Sequence, residues 1–246
     1  MLLRDKCVVI YGAGGALGAA VSRTFAGEGA RLFLAGRTVT RLDTVAEQIR
    51  AGGGVAESME LDALDARAVE RHAAAVVKAA GRLDISINLI GVDHIQGRAL
   101  LEMAPDEFTR GLEDRVRTHV ITARAAARHM TRQRTGVILM VTAAPDRLGI
   151  PRVGSFGVAC AALEGLARTL ATELGPEGVR VVCLRSAGSP DADGVRKARD
   201  LVADGVGTAA DRSRRHARSG RCCAGCRCWP RWPPSRHCWP PIGPAP

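Results

Sequence analysis

The sequence predicts an α/β protein: a doubly wound parallel sheet in a single domain, followed by a disordered or irregular C-terminal tail. Three observations predict it. Short β-branched runs alternate with longer segments of helical period over residues 1–207. A glycine-rich turn joins the first of these runs to the first helical segment, and the composition changes abruptly near residue 207. With 46% hydrophobic residues in 246, the chain can bury a sizeable core.

The elements follow in order. Cys7–Tyr11 is a continuous apolar run, the mark of a strand buried on both faces, and Ala16–Ala26 after it has helical period. Arg31–Ala35 is the second strand; Arg41–Ala51 is a helix because Leu42, Val45 and Ile49 make one apolar stripe. Ala56–Leu61 is the third strand. Ala66–Ala80 is a helix with Asp65 as its N-cap and Gly81 as its stop. Ile85–Leu89 and Val137–Thr142 are strands around the long helix Pro105–Arg132, and Ser155–Leu174 carries the stripe Leu163, Leu166 and Leu170 up to a stop at Gly175. Val179–Leu184 completes six strands. There is no internal repeat of solenoid length.

The net charge of +10 suggests nucleic acid until it is divided along the chain: residues 208–246 carry +7 and residues 1–207 only +3. A nearly neutral body argues against a nucleic-acid partner. No apolar run reaches the 18 or so residues of a membrane span, and Met1-Leu2-Leu3-Arg4-Asp5-Lys6 lacks the apolar stretch of a signal peptide, so the expectation is a cytoplasmic protein with no membrane partner.

The first strand runs into Gly12-Ala13-Gly14-Gly15-Ala16-Leu17-Gly18 and then a helix. Small residues there let the pyrophosphate of a dinucleotide approach backbone N–H groups at the positive end of the helix. The spacing is G-x-x-x-A-x-G, so a tight turn without a ligand stands as the plainer reading. The second strand ends at Gly36-Arg37-Thr38 with no carboxylate. An acid there would take the 2′-OH of NAD, whereas Arg37 offers a fork of donors to a 2′-phosphate and Thr38 a second donor, which favours NADP(H) over NAD(H). A solvated surface arginine is the alternative for Arg37.

Over residues 5–188 the chain resembles the short-chain dehydrogenases/reductases, a Rossmann-type family. The resemblance rests on the glycine loop, on Leu61-Asp62, on Asp84-Ile85-Ser86-Ile87-Asn88-Leu89-Ile90-Gly91, and on Ala161-Ala162-Leu163-Glu164-Gly165-Leu166 with Glu173-Leu174-Gly175. It implies a nucleotide-binding domain over 1–190, a remnant of the substrate loop over 191–207 and a separate tail over 208–246. It also implies cofactor contacts from Gly12, Gly14, Gly15, Leu17 and Gly18, from Asp62 and Ala63 at the adenine, and from Asn88 and Gly91. The family's catalytic tyrosine, lysine, serine and asparagine fall at Phe156, Cys160, Ala143 and Arg115, none of which keeps the family's residue. Phenylalanine has no proton to give, and cysteine lacks the charge and reach of lysine. Tyr11, the one tyrosine, belongs to the glycine turn.

Another proton donor is then required for turnover, and His94, Asp93, His119 and Thr142 are the candidates near the expected cleft. Cys160 as a nucleophile has no evident basic partner in the sequence. Cys222, Cys223, Cys226, Cys228, His237 and Cys238 offer soft metal ligands, but at no familiar spacing, and no metal is expected. Cys-Trp-Pro regroups, one frame over, into codons for apolar residues, so a frameshift near residues 203–211 accounts for the tail's Arg, Cys, Trp and Pro. Three functions stay open: an oxidoreductase on a carbonyl or alcohol with a rebuilt proton donor, an inactive nucleotide-binding subunit or sensor, or a frameshifted product with no function. Partners would be a nicotinamide dinucleotide and a second copy or an active relative.

Overall fold

The structure is a computed structural model that describes residues 1–92, 94–143, 151–186, 196 and 200–202. Asp93, the turn at 187–190 and the tail, with its cysteines and its expected disorder, lie outside the described residues. The described residues belong to one compact unit within Met1–Gly207.

Six parallel strands form one sheet: β1 (Cys7–Tyr11), β2 (Arg31–Gly36), β3 (Val55–Glu60), β4 (Ile85–Asn88), β5 (Gly136–Ala143) and β6 (Val179–Ser186). The helices are α1 (Ala16–Gly27), α2 (Val39–Ala51), α3 (Ala66–Ala80), α4 (Pro105–Gln133) and α5 (Phe156–Leu174). The strand order β3-β2-β1-β4-β5-β6 winds outward from β1 in both directions. Such a switch point opens a crevice beyond the carboxyl ends of β1 and β4, where Tyr11 pairs with Asn88.

Alternation along each strand serves two cores. Val8, Ile10, Leu32 and Leu34 face one way, onto Leu42, Val45, Ala46 and Ile49 of α2. Val9, Tyr11, Phe33 and Ala35 face the other way, in one core with Val69, Ala73 and Val76 of α3 and Met130 of α4. Burying each of the larger side chains contributes about 1.5–3 kcal/mol, which is why β1 has no polar position.

The starts of the strands are tied together by polar contacts. Asp84 accepts from the Cys7 N–H at 2.9 Å and from Arg82 Nε at 2.7 Å, with Lys6 Nζ 3.8 Å away. Gln133 at the end of α4 accepts from the Leu83 N–H at 3.0 Å and donates to its carbonyl at 2.9 Å. These bonds fix β1, β4 and α4 at the end of the sheet away from the crevice.

Observed boundaries differ from the sequence expectation by two residues at most. Asp65 caps α3 through its carboxylate, 3.0 Å from the Ala68 N–H, and Gly81 ends that helix at φ 73°. The α-helix α5 ends at Leu174 with Gly175 as its C-cap, as expected, but without a left-handed φ: Gly175 opens a 3-10 turn, Gly175–Glu177, and the chain reverses at Gly178, φ 79°, where a Cβ would lie 2.2 Å from the Arg134 carbonyl oxygen. A second 3-10 turn, Leu100–Glu102, precedes α4 where the sequence suggested no element.

Candidate functional site

The loop between β1 and α1 is shaped by close backbone approach. Gly12 has φ 79°, and a Cβ on it would lie 2.7 Å from the Leu89 backbone. A Cβ on Gly18 would lie 2.2 Å from the Gly12 carbonyl oxygen and 2.7 Å from Ala13 Cα. The glycines therefore bring the first turn of α1 down onto the strand end. Gly15 caps α1 with extended backbone and no side chain, and the first turn holds no acidic residue, so its N–H groups and positive dipole face outward. This is a cradle for an anionic group, and it fits the pyrophosphate of a dinucleotide. Leu17 is 40% exposed on the same turn.

Arg37 and Thr38, at the end of β2, are exposed. Thr38 is the N-cap of α2, yet its hydroxyl makes no capping bond, and the first turn of α2 contains no acid. Arg41 stands in that turn, its Cβ 3.0 Å from where a Cβ on Gly14 would be. The sequence reading missed Arg41, although its spacing of one helical turn from Arg37 was a signal. Arg41 thus borders the cradle, and Arg37 and Thr38 lie exposed just before the same helix, residue types suited to donating to a second phosphate.

Beyond β3, Asp62 is exposed and its Oδ1 accepts from the Leu64 N–H at 2.9 Å; Ala63 is buried. Asn88 is buried with its side chain spent on the fold: Nδ2 donates to Thr122 Oγ1 at 3.2 Å and Oδ1 accepts from the Ile90 N–H at 3.0 Å. It thereby sets the path of the chain at the crevice floor. A side chain on Gly91 would meet nothing within 4 Å.

The four positions Arg115, Ala143, Phe156 and Cys160 come together from α4, β5 and α5. The Arg115 guanidinium lies 5.5 Å over the Phe156 ring and donates through Nη2 to the Val141 carbonyl at 3.3 Å. The Ala143 N–H donates to Cys160 Sγ at 3.5 Å. Burial pushes the Arg115 pKa down and the nearby Cys160 sulfur opposes that shift, so Cys160 does have a basic neighbour, contrary to the sequence reading. Helix packing, invisible in one dimension, supplies it.

Of the alternative proton donors among the described residues, His94 stands against the Phe156 ring. Its ring meets Phe156 edge-on with centroids 5.3 Å apart, and its Nδ1 shares a hydrogen bond of 3.0 Å with Ser155 Oγ. Ser155, buried at the start of α5, is a second residue the sequence reading missed; its only signal was adjacency to Phe156. His119 is fully buried, with Nδ1 2.9 Å from the Arg115 carbonyl, and burial holds its pKa at about 4. A neutral ring tied to its own helix does not donate a proton near neutral pH. Thr142 is turned toward Glu164 and Cys183, at 3.4 and 3.7 Å. Tyr11 packs in the core against His72, centroids 6.0 Å apart, and burial pushes its phenol pKa up. Among the described residues there is no cluster of His, Cys, Asp or Glu able to hold a metal, and no helix long and apolar enough to cross a membrane.

Residues 6–199 match the family described as short chain dehydrogenase. The chain is 32% identical over 178 residues to the short-chain reductase protein NovJ of Streptomyces niveus, covering 72% of this chain and 67% of that protein. It is similar to the structure of NAD+-bound xylitol dehydrogenase, with TM-score 0.71 and 26% identity over 74% of this chain and 70% of that one. It is also similar to a metagenomic short-chain oxidoreductase in complex with NADP, with TM-score 0.70 and 25% identity over 84% of this chain and 93% of that one.

Proposed function

The chain belongs to the short-chain dehydrogenase family, and from that premise we propose that it is a nicotinamide-dependent oxidoreductase acting on a carbonyl or alcohol, with NADP(H) preferred to NAD(H). The observation that carries this reading is the donor set around the glycine cradle. Arg41 borders it, Arg37 and the Thr38 hydroxyl are exposed at the end of β2, and the turn after β2 carries no carboxylate.

The nicotinamide, when bound, supplies or accepts the hydride. The chain's own part is to hold the dinucleotide on the α1 N-terminus, to shape the crevice floor through Asn88, and to move a proton. Phe156 and Cys160 do not form the phenol and amine pair of the family, and His94, hydrogen-bonded to Ser155 and against the Phe156 ring, is the donor we assign. Titration of the full chain with NADPH and NADH, read by nucleotide fluorescence, tests the binding; NADPH is expected to bind at least about tenfold more tightly. Binding of neither nucleotide overturns the reading. Reduction of a ketone panel in a single turnover, compared with His94→Gln across pH, tests the donor.

A second reading is favoured by the same cluster. A phenyl ring and a thiol at the tyrosine and lysine positions suit a nucleotide-binding subunit that pairs with a second copy or an active relative. NADPH binding with no single-turnover reduction would select it.

A further inference from the structure

We propose that Arg115 is a binding site for the carboxylate of a small carboxylate-bearing substrate, an assignment whose place in the reaction rests on the nicotinamide-dependent reading above. The guanidinium is largely withdrawn from water between α4, β5 and α5. Its one hydrogen bond goes to the Val141 carbonyl, at the long distance of 3.3 Å. Nε is enclosed without an acceptor. No carboxylate lies within ion-pair distance of it among the described residues, although Arg185, more exposed, is paired with Glu164 and Arg82 with Asp84. One carbonyl and a stacked ring do not replace the hydration that a guanidinium gives up, so the site is short of an anion.

The shape of the vacancy in hydrogen bonding selects the anion. A guanidinium presents parallel N–H groups that match the two oxygens of a carboxylate. The Phe156 ring stands beside it, with the His94 ring edge-on to that of Phe156, and an aromatic wall suits the apolar body of such a ligand. The cation lies over the face of the Phe156 ring, which the resemblance puts at the family's tyrosine position, so a carboxylate held there would be close to the reaction centre that this reading implies.

Benzoate and its neutral counterpart benzamide are the probes, titrated by calorimetry into the full chain with and without NADPH. The expected result is a preference of at least about tenfold for benzoate, lost in Arg115→Met and reduced in Arg115→Lys. Equal binding of the two probes, binding of neither, or a preference that survives in Arg115→Met overturns the assignment. The wild-type comparison needs no variant to fold. A parallel NADPH titration separates the two claims. NADPH binding without a benzoate preference overturns the carboxylate site alone. A preference lost in Arg115→Met without NADPH binding upholds the site and overturns the nicotinamide reading.

Discussion

The Arg115 guanidinium stands 5.5 Å above the centre of the Phe156 ring, so that ring already has a cation over its face. A hydroxyl added by Phe156→Tyr would have its pKa lowered by that charge. The variant is expected to reduce carbonyl substrates about 10²-fold faster than the parent, measured as NADPH oxidation. An unchanged rate would mean that the ring does not face the reacting carbon. Cys160→Lys has the opposite outlook. It places a second cation in a fully buried position close to Arg115, and a loss of about 3 kcal/mol or more in denaturant unfolding is expected.

Gly18→Ala tests the cradle. Its new methyl group would meet the Gly12 carbonyl and Ala13 Cα, both backbone and unable to move aside cheaply. Thermal unfolding should show a loss of about 1–3 kcal/mol, and nucleotide binding should weaken with it. Gly91→Ala, whose methyl group meets no protein atom within 4 Å, should leave the stability unchanged.

The double variant Arg37→Ala/Arg41→Ala should weaken NADPH binding by about 10- to 100-fold and leave NADH binding within about twofold, read in the same fluorescence titration. Equal losses for both nucleotides would assign the two arginines to the pyrophosphate instead.

Stability should fall in acid for a stated reason. Burial holds the pKa values of His72 and His119 at about 4, against 6.5 for an exposed histidine. The unfolded chain binds these two protons first as pH drops, so the contribution is intact above pH 6.5 and is lost between about 6.5 and 4. Each histidine accounts for roughly 3 kcal/mol over that interval. Denaturant melts across this range should show the decline, and His72→Phe, which keeps a ring beside Tyr11, should remove about half of it.

Most of the fold was legible because its signals are local. Five consecutive buried residues in β1, the stripe Leu42, Val45 and Ile49, and the cap at Asp65 all declare themselves within a few positions. Gly175 marks the end of α5 locally, but the reversal of the chain falls three residues on, at Gly178, where it is set by the Arg134 carbonyl from another part of the chain. The company that the candidate site's side chains keep was not legible. Sequence placed Phe156 and Cys160 four residues apart on one helix, but the arrival of Arg115 and His94 beside them depends on how α4 and the loop after β4 pack. His119 illustrates the converse: a histidine of plausible position proved to be tied to its own helix and kept neutral.

The bonds that Asp84 and Gln133 make lie at the strand starts, whereas Arg115, Phe156 and Cys160 gather beyond the strand ends. Assembly of the sheet and the chemistry of its mouth are therefore governed by separate sets of residues. Exchange at the mouth leaves the bonds of Asp84 and Gln133 in place, so a lineage on this architecture can retire one reaction and try another while the strand starts stay tied.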